Sequence, residues 1–156
     1  MKVEILLKLK EMLNKKKECL QNILYVAKEQ DEITFAKESD LEIFEKYIDE
    51  KEDLILALSK LNQEYEEFIE QMGEASSDNA DSDMKQQINL INQEIISLSK
   101  EIQVLEGKSK EKFEAYVQQE REKIKNFRLN SQMASNYYKS MNVGQLEDSY
   151  FMDQRK

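Results

Sequence analysis

Histidine, tryptophan and proline are absent from this 156-residue chain, glycine occurs three times and cysteine once. Helical bundles hold carboxylate-bridged metal pairs with Glu-x-x-His repeats, and without histidine none can be built. There is no glycine-rich phosphate loop, and neither a serine nor Cys19 has a base in prospect. The chain is therefore expected not to be an enzyme and to carry no cofactor and no metal. Glu64, Glu66, Glu67 and Glu70 read as the wet side of a helix. A single cysteine cannot make a disulfide framework, and Cys19, lying on an apolar stripe, reads as a buried, inert thiol. The lack of proline in a chain with 35% charged residues points to long, uninterrupted helices.

No long apolar run exists either. The opening MKVEILLKLKEMLNKKK is broken by Glu4, Lys8, Lys10 and Glu11, so no signal peptide or membrane span is expected there. A cytoplasmic protein with no stable membrane insertion is expected. Lys15 to Lys17, with acids on both sides, reads as a solvated face. The net charge of -9 disfavours a nucleic-acid partner. That charge is uneven: residues 39–72 hold 11 acids and 3 bases, residues 84–130 hold 7 acids and 9 bases. Opposed helices of opposite sign would pack well, although such charges are also what ordinary solvated faces carry.

What is present is helical periodicity. Met84, Ile88, Ile91, Ile95, Leu98, Ile102 and Leu105 fall at steps of 4, 3, 4, 3, 4 and 3, which puts all seven on one seam of a helix. Burying such a seam contributes roughly 10 to 20 kcal/mol before the cost of ordering the chain, so it needs a partner. Upstream, Ile5, Leu9, Met12, Cys19, Ile23, Val26 and Ile33 share a stripe, with Lys16 and Gln30 at the two heptad positions left over. Lys16 is expected to lay its methylenes along the seam and keep its ammonium in water. Leu6, Leu13, Leu20 and Leu24 widen the face toward that of a bundle. Ser39 and Glu42 have capping-box spacing and open a second helix with a broad apolar face from Leu41 to Met72. Gly73 closes it, and the loop EASSDNADSD follows. Its aspartates lack the central glycine and closing glutamate of an EF-hand. Asp83, with Gln86 three residues on, can cap the third helix.

These patterns predict an all-α fold: a long antiparallel helical hairpin plus a third long helix, as a three-helix bundle or coiled-coil-like assembly, with a flexible C-terminal segment. Helices are expected at about 2–36, 39–72 and 83–128, making a bundle over 1–130. A weakly helical to disordered tail over 131–156 would follow. The third seam weakens at Gly107 and Ser109 and resumes through Phe113, Val117, Ile124 and Phe127, and the helix is expected to continue there, with a bend left open. The tail carries Tyr137, Tyr138, Met141, Tyr150 and Phe151, a large apolar load that the hairpin is not expected to bury.

The second helix, SDLEIFEKYIDEKEDLILALSKLNQEYE, resembles the FlgN family of flagellar export chaperones through Asp40, Leu41, Lys51, Leu54, Leu58 and Leu61. The isoleucine-rich third helix, Leu105 with Glu106, and the terminal SYFMDQRK look like versions of this family in Gram-positive anaerobes. The resemblance implies a cytoplasmic chaperone that binds hook-filament junction (hook-associated) proteins and delivers them to the flagellar type III export gate or its ATPase complex, with Tyr137 and Tyr138 as candidates for gate recognition. It also implies a client site from about Phe113 onward. Phe113, Val117, Ile124, Phe127, Tyr137, Tyr138, Met141, Tyr150 and Phe151 are the candidate contacts.

Weak helicity joined to unburied apolar residues suits coupled folding and binding independently of the resemblance. Other readings stay open. Ile124 and Phe127 more often belong to ordinary bundle core, and the tail aromatics suit folding back over the hairpin's open face, where they would be autoinhibitory. The strict seam suits a homodimeric coiled-coil adaptor, and a related helical secretion chaperone would serve a different flagellar client.

Overall fold

The computed structural model describes residues 2–72, 82–121 and 136–138. They form three long helices, α1 (Lys2–Asp31), α2 (Asp40–Met72) and α3 (Ser82–Glu120), and no strand is found among them. The fold is all-α. The Cys19 thiol donates to the Leu54 carbonyl oxygen (3.3 Å) and the Gln30 amide to that of Phe44 (3.2 Å), so α1 and α2 run antiparallel. Lys17 pairs with Glu94 (2.7 Å) and Lys112 with Asp31 (3.3 Å), so α3 runs parallel to α1 in an up-down-up bundle. α1 packs along both other helices.

That double duty explains the width of its apolar face. The most buried line along α1 is Leu6, Leu9, Leu13, Lys16, Leu20, Ile23, Ala27 and Gln30, an unbroken heptad beside the expected stripe. Leu13, Leu20 and Ile23 meet Ile55 and Leu58 of α2 and Ile91, Ile95 and Ile102 of α3 in the main core, with Leu98 and Leu105 packed at its edge. The α3 seam is thus covered by the chain itself. Lys16 departs from expectation: it is 2% exposed rather than carrying its head to water. Cys19 is buried, and burial together with the charge of Glu18 raises its thiol pKa, as suits an inert group.

The first helix stops at Asp31, five residues short of the expected end. Its last turn tightens, the amides of Glu32 and Ile33 reaching back three residues to Glu29 and Gln30. Ile33 and Thr34 follow, β-branched residues that favour extended backbone, and Phe35 then takes a left-handed conformation at φ 59°. Lys112 of α3 closes the helix end, its Nζ donating to the Asp31 carbonyl oxygen, where a cation is favoured by the helix dipole. At the start of α2 the Lys37 amide donates to Asp40 Oδ2 (3.1 Å) and the Ile43 amide to the Ser39 carbonyl oxygen (3.2 Å). Ser39 holds the cap position, and it is the Asp40 carboxylate that reaches back to the turn.

α3 runs without interruption through Gly107. The position needs no glycine: a Cβ there would meet nothing within 4 Å. Gly107→Ala is expected to stabilise the protein by about 1 kcal/mol, the difference in helix propensity. A urea denaturation followed by circular dichroism checks it, a midpoint unchanged or lowered counting against the reading. Beyond Leu105 the buried line does not fade, as its spacing suggests, but turns polar: Glu106, Ser109 and then Phe113 are all under 4% exposed.

Candidate functional site

A second cluster lies where the α1–α2 turn, the last third of α3 and residues 136–138 converge. α2 presents Leu41, Phe44 and Ile48 at heptad spacing, and α3 presents Phe113 with Tyr116 and Val117 beside it. Phe44 and Phe113 stack with ring centres 5.6 Å apart. Phe35, held left-handed in the turn, stacks on Tyr116 at 4.4 Å and tilts against Phe44 at 5.1 Å. An L-residue in this region costs about 1–2 kcal/mol, and aromatic pairs contribute about 0.5–1.5 kcal/mol each, so the two contacts offset the strain.

Tyr137 and Tyr138 complete the cluster. Tyr138 packs against Phe113 (5.8 Å) and Phe44 (6.3 Å), and the two tyrosine rings meet edge to face. They are 4% and 9% exposed. The hairpin was not expected to bury the apolar residues of the tail; at these two positions they are buried, because α2 and α3 together leave an aromatic hollow between Phe44 and Phe113. It agrees with the alternative that tail aromatics fold back.

Beneath Tyr137 lies a buried charge pair. Lys51 sits at the fourth place of the α2 interior heptad Leu41, Phe44, Ile48, Lys51, Ile55, Leu58 and is fully buried. Its Nζ donates to Glu106 Oε1 at 2.5 Å. The Tyr137 hydroxyl donates to the other carboxylate oxygen (3.2 Å), and Lys51 Nζ lies 5.2 Å from the Tyr137 ring centre. Burial outweighs the attraction of Glu106 and lowers the Lys51 pKa. Burial first, then the negative charge of Glu106, raises both phenol pKa values, so both phenols stay protonated at neutral pH. This pair reverses the expected polarity, the base coming from the acidic helix and the acid from the basic one. The Tyr138 hydroxyl is different: it is buried with no hydrogen-bond partner among the described residues.

An open groove of about 450 Å³ adjoins the cluster, with Phe113, Val117 and Tyr138 on its floor and Lys110, Glu114 and Arg121 among its lining. Of the nine candidate contacts, four are thereby brought together: Phe113, Val117, Tyr137 and Tyr138. Ile124, Phe127, Met141, Tyr150 and Phe151 lie outside the described residues. Phe35, Phe44 and Tyr116 were not among the candidates. Phe44 was detectable from its heptad place, whereas nothing in the periodicity marks Phe35. Lys51 and Glu106 entered through the resemblance alone, with no sign that they touch.

Among the described residues no helix is long and apolar enough to cross a membrane, and no group of three or more His, Cys, Asp or Glu side chains could hold a metal ion. Compared with protein-family models, curated proteins and solved structures, the chain matches none.

Proposed function

We propose that this chain is a cytoplasmic flagellar type III export chaperone that binds hook-filament junction proteins and hands them to the export gate or its ATPase complex. The observation that carries the reading is that Phe113 and Val117, two of the candidate client contacts, line one open groove at the aromatic end of the bundle, where Tyr137 and Tyr138 dock beside them. A floor of apolar rings rimmed by Lys110, Glu114 and Arg121 suits the apolar stripe and flanking charges of an amphipathic helix. The residues that carry the resemblance add support of a second kind. Leu41, Lys51, Leu58 and Glu106 are interior, so their identities are under packing constraint rather than incidental.

Calorimetric titration of the full chain with the terminal helical segments of the two hook-filament junction proteins tests the reading. One-to-one binding is expected. Val117→Glu, which puts a carboxylate on the groove floor, is expected to weaken it about 10- to 100-fold, the range of a moderate interface hot spot, with the helical circular dichroism retained. Binding untouched by Val117→Glu would move the client elsewhere on the bundle. No binding, with a mass that grows with concentration, would favour the homodimeric adaptor, although the α3 seam that would drive it is covered by α1.

A further inference from the structure

We propose that Tyr137 and Tyr138 form a displaceable plug: the chain's own tyrosine pair occupies the aromatic end of the bundle, and a client helix must displace it to bind. The inference rests on the chaperone reading of that site.

Three features make the docking exchangeable rather than permanent. Tyr137 meets Glu106 across 31 residues, a long-range contact whose formation carries an entropy cost. The contact is also of mixed quality. Its rings pack on Phe44 and Phe113 and Tyr137 hydrogen-bonds Glu106, both favourable. Against this, the Tyr138 hydroxyl is buried without a partner among the described residues, and the Lys51–Glu106 pair is shut from water. Release of the plug would return the Tyr138 hydroxyl to water and admit water to the ion pair, recovering part of the desolvation cost. Finally, the apolar floor offered to a client is continuous with the seat of the plug, because Phe113 lines the groove and is also the ring on which Tyr138 packs.

The two hydroxyls then act in opposite directions, and this separates a plug from a client contact. Tyr137→Phe removes a hydrogen bond made only in the docked state. The competent, open population rises, and apparent client affinity rises about 5- to 10-fold. Tyr138→Phe removes a hydroxyl that is hydrated only in the open state, so docking tightens and client affinity falls by a similar factor, about 5- to 10-fold. The experiment is calorimetric titration of each full-length variant with the terminal helical segments of the hook-filament junction proteins. Opposite shifts support the plug. Loss of affinity in both variants would make the tyrosines direct client contacts, and no change in either would make them ordinary core; either result overturns it. If the unaltered chain binds neither segment, the chaperone reading fails by itself. The plug is then judged in the free full-length chain, from tyrosine ring-carbon NMR exchange. Tyr137→Phe should raise the solvent-exposed population and Tyr138→Phe lower it, and rings that show no exchange in any form overturn the plug.

Discussion

Lys51→Met lowers the free energy of unfolding by about 3–5 kcal/mol, the cost of leaving one member of a buried ion pair without its partner. Lys51 is 0% exposed and Glu106 3%, and the N–O distance is 2.5 Å. Methionine fills nearly the same volume as the lysine stem, so little of the loss comes from packing. It comes from Glu106, which keeps the Tyr137 hydroxyl as a donor but loses the ammonium that balances its charge. The companion variant, Lys51→Met with Glu106→Leu, removes both charges and is expected to recover most of that loss, because an apolar replacement of a buried pair is commonly neutral or stabilising. Urea denaturation of the two variants beside the unaltered chain checks both statements. A loss below about 1 kcal/mol for the single variant would be the value of an exposed pair and would contradict the burial. Recovery in the double variant would also bear on why the pair is there. A registry role, setting which α2 position faces which α3 position, is the best-attested use of buried polar residues in helical assemblies.

The three helices were legible because each buries an unbroken 3–4 spacing, and nothing but a helix puts Leu6, Leu9, Leu13, Leu20 and Ile23 on one side. Pattern alone does not say which seam covers which. The α3 isoleucines had three candidate partners, and only the tertiary arrangement assigns them to α1. Polar residues at heptad positions were the weakest point of the reading. Lys16 was given to water, and Glu106, just past the end of the seam, entered only through the resemblance, yet both are interior. A lysine on a helix face is ordinarily solvated, and its burial depends on a partner from elsewhere in the chain. The candidate site was half legible for the same reason. Phe113 and Val117 lie on the extended α3 seam, but the hollow that receives Tyr137 and Tyr138 requires Phe44 of another helix. The early end of α1 was concealed too, since the turn depends on Phe35 being held left-handed by Tyr116 and Phe44.

Phe44→Ala separates the two ends of the bundle. The ring is 1% exposed and touches the turn through Phe35, α3 through Phe113 and the docked segment through Tyr138. Its loss is expected to cost about 3–5 kcal/mol, the range for truncating a buried phenylalanine. Leu58→Ala, at a 0% exposed position of the main core, is expected to cost about 2–5 kcal/mol and so serves as a control of similar size. The two differ in what they release. Phe44 contacts Tyr138 directly, whereas Leu58 belongs to the other cluster. Under native conditions Phe44→Ala should therefore move the ring resonances of Tyr137 and Tyr138 toward solvent-exposed values, while Leu58→Ala leaves them in place. It should also free Phe35 from its ring contact with Phe44, loosening the α1–α2 turn. Denaturation gives the cost of each substitution, and tyrosine-labelled NMR gives the position of the pair. Equal disturbance of the tyrosines by both variants would mean that the two clusters open as one unit, and the aromatic end would then not be a separable site. Release confined to Phe44→Ala would show the tyrosine pair held by the aromatic hollow itself, with the main core standing when that hollow is emptied.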